Sequence, residues 1–377
     1  MTKRLRIGYV PLTDAALLHV AKAQNFATAR GVEFELVADT SWANIRDKLV
    51  AGHFDAAHML APAAIAVSLG IGQIEAPLVA PVALGLNGNA ITVSKVLFEA
   101  LLQEARGDIA DPRVTAKALA RIVARRRERD EAPVTLGHVF PFSSHHYQLR
   151  LWLRAGRLNP DEDVRLVVVP PPFMVWTLRK GQLDAFCVGA PWNAVTVAAG
   201  AGIILHQGTD IVSDCPEKVL AFRAEWARSH GDDVHALAGA VGEASRWAAA
   251  PSNRSSLVTL LTSTAWQDVS AGTIERVLEN QASPSGPALT DAGLRLDEDA
   301  IKADPAQALW LYAQMAAAGQ TVYSRFQAEA AAAVYAPALG PAILRPAATP
   351  VAFDGPAFSP NDIPSYLAAL EAGRPRS

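Results

Sequence analysis

Two short stretches of the chain, AGHFDAAHMLAP (51–62) and KGQLDAFCVGAP (180–191), follow one pattern that ends in an Ala–Pro step. In both, a glycine precedes an apolar run, as where a helix ends and a buried strand begins, and the proline suits the first turn of a new helix. Unpaired N–H groups at the start of a helix attract anions. The pattern therefore predicts two anion-binding steps, at Leu60–Ala61 and at Gly189–Ala190.

Polar and aromatic side chains lie close to the predicted strand ends and helix starts. Lys218 would supply positive charge, Asn89 and His145 hydrogen bonds, and Trp42 a flat apolar wall. Thr13, which follows the first predicted strand, is a further candidate. A few directed donors beside one apolar face suit a small, planar, weakly hydrated anion such as nitrate.

Each of these residues also has an ordinary structural interpretation. Trp42 is by type a core residue, Lys218 a surface residue, and one of His145 and His146 a solvated residue at a helix start. His58, on an apolar stretch read as an edge strand, is by type a core histidine. Their shared position near predicted strand ends is what favours a binding site.

Alternating strands and helices must position these side chains. The order strand–helix–strand–helix–strand runs from LRIGYVPL (5–12) to FDAAHML (54–60), and it returns from PVTLGHVF (133–140) to LDAFCVG (183–189). Such alternation predicts parallel sheets with helices on their faces. We therefore predict an α/β fold with two lobes of related design.

Two crossings between the lobes predict that the first lobe is split. The segment 88–95 leaves the first lobe and the segment 202–223 returns to it. The predicted domains are 1–90 with 219–345 as lobe 1, 91–218 as lobe 2, and 346–377 as a proline-rich tail with a short last helix. Two hinge crossings predict a ligand cleft between the lobes, at the carboxyl ends of the strands.

Composition limits the classes of function. The 377 residues suffice for two domains, and the net charge of −3 gives no sign of a nucleic-acid surface. The arginine run at 124–133 alternates with acids and reads as a solvated helix end. The two cysteines, Cys187 and Cys215, are too few for a disulfide framework and lack metal-ligand spacing. We predict no cofactor, no metal and no direct nucleic-acid binding.

The beginning of the chain bears on where the protein works. Arg6, Gly8, Pro11 and Asp14 interrupt the first apolar stretch, so it does not resemble a secretory signal. No segment reaches the roughly 18 apolar residues of a membrane span. The sequence predicts a cytoplasmic protein without membrane contact.

Six motifs occur in an order that resembles the nitrate-binding proteins of nitrate/bicarbonate ABC importers: VPLTDAALLHVAKAQNF, SWANIRDKLVAGHFDAAHMLAP, GNAITVS, HHYQLRLWLRAG, VGAPWNA and PEKVLAF. The resemblance covers nearly all of 5–345 and implies the type 2 periplasmic-binding-protein fold. It implies anion contacts at Trp42, Asn89, His145, Gly189 and Lys218, with Leu60, Ala61, Ala190 and Thr13 as further candidates. Asn89 stands where glutamine is expected in the importer proteins, and Ala190 where an acidic residue is usual.

Without a recognisable secretion signal, the chain is most similar to the cytoplasmic branch of this family, the nitrate/nitrite sensors of the NasS type. That resemblance implies an RNA-binding antiterminator of the ANTAR type as partner. Two alternatives stay open, a substrate-binding subunit of an importer and an enzyme on the same fold. The carboxylates of Asp161, Glu162 and Asp163 fall in a predicted loop and no catalytic motif appears, so we predict that the protein is not an enzyme.

Overall fold

The chain folds into two compact α/β units, in a computed structural model that describes residues 4–264, 269–278, 293–340 and 346–373. The first unit comprises Met1–Leu86, Pro216–Ile274 and Arg295–Pro350, and the second comprises Asn87–Cys215, Glu275–Leu294 and Val351–Ser377. The first crossing thus lies a few residues before the predicted boundary at 90, and the second a few residues before the one at 218. The tail from Val351 belongs to the second unit rather than forming a separate segment.

The first unit is built on a five-stranded sheet. Its strands are β1 (Arg4–Tyr9), β2 (Glu33–Ala38), β3 (Ala56–Leu60), β4 (Leu78–Ala83) and β11 (Lys218–Arg223), in the order β2-β1-β3-β11-β4. Its helices are α1 (Ala16–Ala23), α2 (Trp42–Val50), α3 (Ala61–Ser68), α10 (Ala224–Ser229), α11 (Gly231–Ala249), α12 (Arg254–Thr264), α14 (Pro305–Ala317) and α15 (Arg325–Val334), while α13 (Ala271–Leu278) spans the boundary at Ile274.

The second unit repeats this plan. Its main sheet contains β5 (Asn89–Ser94), β6 (Thr135–His138), β7 (Arg165–Val168), β8 (Ala185–Gly189) and β9 (Gly202–Gln207), in the order β7-β6-β8-β5-β9, and β10 (Val212–Ser213) pairs with β12 (Val351–Ala352). Its helices are α4 (Lys95–Glu104), α5 (Pro112–Glu128), α6 (Ser144–Ala155), α7 (Met174–Arg179), α8 (Trp192–Ala198), α9 (Gly208–Ile211) and α16 (Ile363–Ala372). None of the described helices combines the length and the apolar character needed to cross a bilayer.

One strand in each five-stranded sheet runs against the others, so the prediction of wholly parallel sheets is wrong. Strand β11 is antiparallel to β3 and β4, and β5 is antiparallel to β8 and β9. Both strands belong to the segments that cross between the units. The crossing segment therefore enters each sheet at the end where the other four strands finish. The two strand orders correspond position by position, which explains why the two Ala–Pro stretches end on equivalent strands, β3 and β8.

Local signals place the helices that carry candidate residues. Ser41 caps α2 and accepts a hydrogen bond from the N–H of Asn44, and Ser143 caps α6 and accepts one from the N–H of His146. All five residues of β3 are buried, as expected for an interior strand covered on both faces. His58 therefore lies on the central strand of the first sheet, and its placement on an edge strand is wrong.

Helices α5 and α6 approach closely at Gly156, where a Cβ atom would lie 2.3 Å from the carbonyl oxygen of Ala116. We expect Gly156→Ala to lower the free energy of unfolding by about 1–3 kcal/mol, because the backbone must shift to admit the methyl group. Urea unfolding measures this loss. In Gly231→Ala the added Cβ meets no atom within 4 Å, so its stability should be unchanged or slightly higher. Equal losses in both variants would contradict the steric argument.

Candidate anion-binding site

In the first unit, the predicted residues meet at the carboxyl ends of the parallel strands. Thr13 follows β1, Trp42 begins α2 after β2, and Lys218 at the start of β11 pairs with Leu60 at the end of β3. The Nζ atom of Lys218 lies 5.5 Å from the centre of the Trp42 ring. The fold thus brings separate parts of the sequence to one edge of the first sheet.

Lys218 is the centre of a buried ionic cluster. Its Nζ lies 2.9 Å from Asp14 Oδ2 and 3.0 Å from Glu217 Oε2, and none of its side chain is exposed. His58 Nε2 lies 2.9 Å from the other carboxylate oxygen of Asp14. Sequence reasoning missed this cluster, although Asp14 and Glu217 each adjoin a residue that it selected.

Electrostatic attraction keeps the cluster charged. Burial by itself disfavours the charged form of Lys218, but the carboxylates of Asp14 and Glu217 outweigh it and raise the pKa of the lysine. Burial likewise disfavours ionised Asp14, and Lys218 and His58 outweigh it and hold the pKa of this carboxyl below its usual range. Burial lowers the pKa of His58 despite the nearby Asp14. Lys218 is therefore not the free cation that the sequence suggested, because carboxylates of the same unit already compensate its charge.

Trp42 Nε1 and Thr13 Oγ1 are among the buried donors of the first unit that have no hydrogen-bond partner among the described residues. The Trp42 ring also meets the His58 ring edge-on, with centroids 5.2 Å apart. Leaving a buried donor unpaired costs about 1–3 kcal/mol. Trp42 therefore offers an N–H donor in addition to the flat wall that the sequence predicted.

In the second unit, the candidate residues gather at the carboxyl end of β8. Asn89, the first residue of β5, pairs with Gly189, the last residue of β8. The Nδ2 atom of Asn89 lies 3.4 Å from Ser144 Oγ and 3.4 Å from Gln148 Oε1, two long contacts with the first turns of α6. His145, on the same helix, is wholly buried. The fold brings Asn89, Gly189 and the start of α6 together as predicted.

The N–H groups of the two alanines at the Ala–Pro steps are paired within their own units. The N–H of Ala61 donates to the carbonyl oxygen of Glu217, and that of Ala190 to the carbonyl oxygen of Gly88, both at 2.9 Å. In each case the acceptor belongs to the segment that precedes the antiparallel strand, which a wholly parallel sheet would lack. Contacts from Leu60, Ala61 and Ala190 to an anion stay predictions, without support from the N–H groups of Ala61 and Ala190.

The two steps also differ in detail. Helix α3 begins at Ala61, so Pro62 lies in its first turn as predicted. In the second unit Pro191 follows a cis peptide bond and precedes α8, which begins at Trp192. The predicted equivalence therefore holds for the strands but not for the helices that follow them.

Within the described residues, no group of three or more His, Cys, Asp or Glu side chains is arranged to hold a metal ion. Cys187 and Cys215 are both buried, and neither forms a disulfide bond. At the carboxyl ends of the strands in the two sheets, the side chains available to a ligand are therefore N–H and O–H donors. The first sheet adds the buried ionic cluster, in which carboxylates compensate the charge of Lys218.

Paired α/β units, each with one antiparallel strand supplied by a crossing segment, define the periplasmic-binding-protein fold, a class of ligand-binding proteins. Solved structures agree with this assignment. The periplasmic nitrate-binding protein NrtA from Synechocystis matches with a TM-score of 0.85 at 24% identity, over 97% of this chain and 98% of that one. The aliphatic sulphonate-binding protein SsuA from Escherichia coli matches with a TM-score of 0.54 at 17% identity, over 75% of this chain and 85% of that one.

The chain belongs to the NMT1-like family, whose model matches residues 1–262. A nitrate import ATP-binding protein NrtC from Synechocystis is 31% identical over 96% of this chain and 54% of its own length. A nitrate/nitrite binding protein NrtA from Nostoc is 31% identical over 72% of this chain and 60% of its own. A bicarbonate transport ATP-binding protein CmpC from Synechocystis is 36% identical over 68% of this chain and 37% of its own. The chain thus spans between 37% and 60% of the length of these curated relatives. These matches confirm the resemblance that was drawn from the motifs.

Proposed function

We propose that this protein binds nitrate or nitrite and acts as a cytoplasmic nitrate/nitrite sensor that controls an ANTAR-type transcription antiterminator. The observation that carries the binding function is the unpaired buried donor of Trp42 beside Lys218, on a fold shared with a nitrate-binding protein. The sensor role, the cytoplasmic location and the antiterminator rest on the resemblance of the motifs. Placement of the anion between the two lobes stays a prediction from the sequence.

The chemistry of the first edge favours an anion that only accepts hydrogen bonds. Trp42 Nε1 and Thr13 Oγ1 are donors, whereas the carboxylates of Asp14 and Glu217 lie against Lys218 and His58. Nitrate and nitrite carry no proton at neutral pH, so they suit such donors. Bicarbonate must also donate its hydroxyl proton, and a carboxylate already engaged by Lys218 is a poor acceptor for it.

We expect isothermal titration calorimetry to show binding of nitrate and nitrite, with bicarbonate at least about tenfold weaker, a difference of about 1.4 kcal/mol. Trp42→Phe keeps the ring but removes the N–H donor, and it should weaken nitrate binding about tenfold or more, because a hydrogen bond to a charged group contributes about 1.5–3 kcal/mol. Trp310→Phe is the matched control, since Trp310 is a buried tryptophan of α14. Absence of binding by all three anions would overturn the proposal.

The sensor role makes a separate prediction. If the anion and the antiterminator favour different conformations, each lowers the affinity of the other by the same factor, and a factor of about 100 corresponds to roughly 2.7 kcal/mol of coupling. We expect an ANTAR-type protein encoded nearby to co-purify with the anion-free protein and to be released by nitrate. A complex that survives saturating nitrate and nitrite would contradict the sensor role.

Failure to form any complex, with nitrate binding intact, would favour the importer subunit instead. That second candidate is favoured by the similarity to proteins named for nitrate import and bicarbonate transport. The relatives reported above are named as binding or transport proteins, which supports a protein that is not an enzyme.

A further inference from the structure

Gln148 lies beside Asn89 in the second unit but was not among the predicted contacts. Its side chain is wholly buried on α6. Its Oε1 atom lies 3.4 Å from the Nδ2 donor of Asn89 and 3.5 Å from the Sγ donor of Cys187. Its Nε2 atom is buried and has no hydrogen-bond partner among the described residues.

The surroundings fix the direction of this amide. With Asn89 in its observed orientation, turning the Gln148 amide by 180° would place its NH2 group against the NH2 group of Asn89, so that two donors would face each other. The observed orientation satisfies the acceptor end instead, at the cost of an unpaired donor end. A buried amide N–H without a partner costs stability, and nearly all such groups in folded proteins have one. The free end of Gln148 is therefore a donor that a bound acceptor can satisfy.

Gly208, at the start of α9, packs closely against this donor. A Cβ atom at Gly208 would lie 3.1 Å from Gln148 Nε2 and 2.9 Å from the carbonyl oxygen of Asn89. The backbone of Gly208 is not in the left-handed region, so close approach and not an unusual φ angle accounts for the glycine. Any side chain here would clash with the backbone carbonyl of Asn89 and crowd the amide of Gln148.

We propose that Gln148 Nε2 donates a hydrogen bond to the bound anion, which makes Gln148 a ligand-contacting residue of the second unit. Ser144 and Gln148 lie one turn apart on α6, and Asn89 contacts both of them, so the free donor belongs to the same edge as Asn89 and Gly189. A neutral amide N–H selects a ligand with an acceptor oxygen and adds no charge. This inference rests on the proposed function and names a contact within it.

The test is nitrate affinity in Gln148→Met, which keeps the length of the side chain and removes the donor. We expect the Kd for nitrate to rise about tenfold to a hundredfold, since one hydrogen bond to an anion is lost. The melting temperature of the anion-free variant should change little, because removal of the unpaired NH2 group offsets the loss of the two long contacts that Oε1 accepts. Gln148→Glu, which puts an acceptor in place of the donor, should weaken nitrate binding at least as much and serves if the methionine variant does not fold.

Gln307→Met is the matched control. Gln307 is 1% exposed on α14 of the first unit, and neither Nε2 nor Oε1 of its amide has a partner among the described residues. This variant removes a similar buried amide away from the proposed contacts, so its Kd for nitrate should stay within about twofold of the wild type.

A spectroscopic readout separates a direct contact from a structural role. The side-chain amide signals of Gln148 can be assigned in a ¹H–¹⁵N NMR spectrum by their loss in either Gln148 variant, and we expect them to shift when nitrate saturates the wild-type protein. Unmoved Gln148 signals, or a Gln148→Met variant with wild-type affinity, would overturn this contact while leaving the proposed function intact. Absence of nitrate, nitrite and bicarbonate binding by the wild-type protein would overturn both.

Discussion

The Lys218→Ala variant is expected to lose about 3–5 kcal/mol of unfolding free energy, the usual cost of removing one partner from a buried ion pair. The substitution leaves the carboxylates of Asp14 and Glu217 in the interior without the ammonium group that lies 2.9 and 3.0 Å from them. Such a loss is a large share of the 5–15 kcal/mol typical of a folded domain. Urea unfolding followed by tryptophan fluorescence measures it.

Lys48→Ala is the matched control for this prediction. Lys48 Nζ lies 2.6 Å from Asp39 Oδ2, but 44% of its side chain is exposed. Water screens this pair, so its removal should cost less than about 1 kcal/mol. Similar small losses in both lysine variants would contradict the structural importance of the buried cluster. Asp14→Asn combined with Lys218→Met should recover part of the loss, because it removes one of the two stranded charges.

Lys218 also provides a test of anion binding that is separate from stability. Measured on fully folded protein at low temperature, Lys218→Met should weaken nitrate binding about tenfold to a hundredfold if its ammonium contacts the anion. Unchanged affinity would show that the lysine serves only to hold Asp14 and Glu217. The two measurements therefore distinguish a binding role from a structural one.

Acidification from pH 7.5 to about 4 is expected to remove roughly 10 kcal/mol of stability, enough to unfold most domains. Burial is the chief cause that lowers the pKa of His19 and His138 to about 4 and that of His206 to about 3. Unfolded histidine titrates near 6.5. Below that pH the unfolded chain takes up protons that the folded chain excludes, so stability is fully present above about pH 6.5 and falls as the pH approaches the folded values. At 1.36 kcal/mol per pH unit, each of the three histidines accounts for about 3 kcal/mol.

The measurement is the unfolding free energy at intervals between pH 7.5 and 4.5. The slope should steepen below pH 6.5, and His138→Asn should reduce it by the contribution of one proton, about 1.4 kcal/mol per pH unit. His138 Nδ1 lies 3.0 Å from the carbonyl oxygen of Phe140, and asparagine can still donate a hydrogen bond there. A stability that stays level across this range would show that the buried histidines do not resist protonation.

Local features of this fold were predictable because their causes lie within a few residues. The caps at Ser41 and Ser143 follow from a serine that precedes a helical pattern, and β1 and β3 follow from short apolar runs. The direction of β11 did not follow, because nothing in KVLAFR indicates which strands it pairs with or from which end it enters the sheet.

The candidate site likewise combines features that are predictable from local sequence with features that depend on tertiary contacts. Lys218, Asn89 and His145 were selected as candidates from their residue types and from their places beside predicted strand ends. Their partners were not predicted, because the pairing of Lys218 with Asp14 depends on a contact between two distant segments. Gln148 was not predicted either, because its sequence neighbourhood is that of an ordinary polar helix residue and only the tertiary fold buries it. The missed residues are those whose role depends on tertiary contacts rather than on their neighbours in the chain.

During synthesis on the ribosome, the first sheet cannot be completed until one of its interior strands has been made. Strands β3 and β4 are complete once residue 83 has been made, but β11, which lies between them, is complete only at residue 223. The main sheet of the second unit is encoded entirely within residues 89–207 and can form in the meantime. Unpaired strand edges readily pair with other chains. Nascent chains that stall within this interval, with β3 and β4 still lacking their shared neighbour, are expected to be the species most prone to aggregation and most dependent on chaperones.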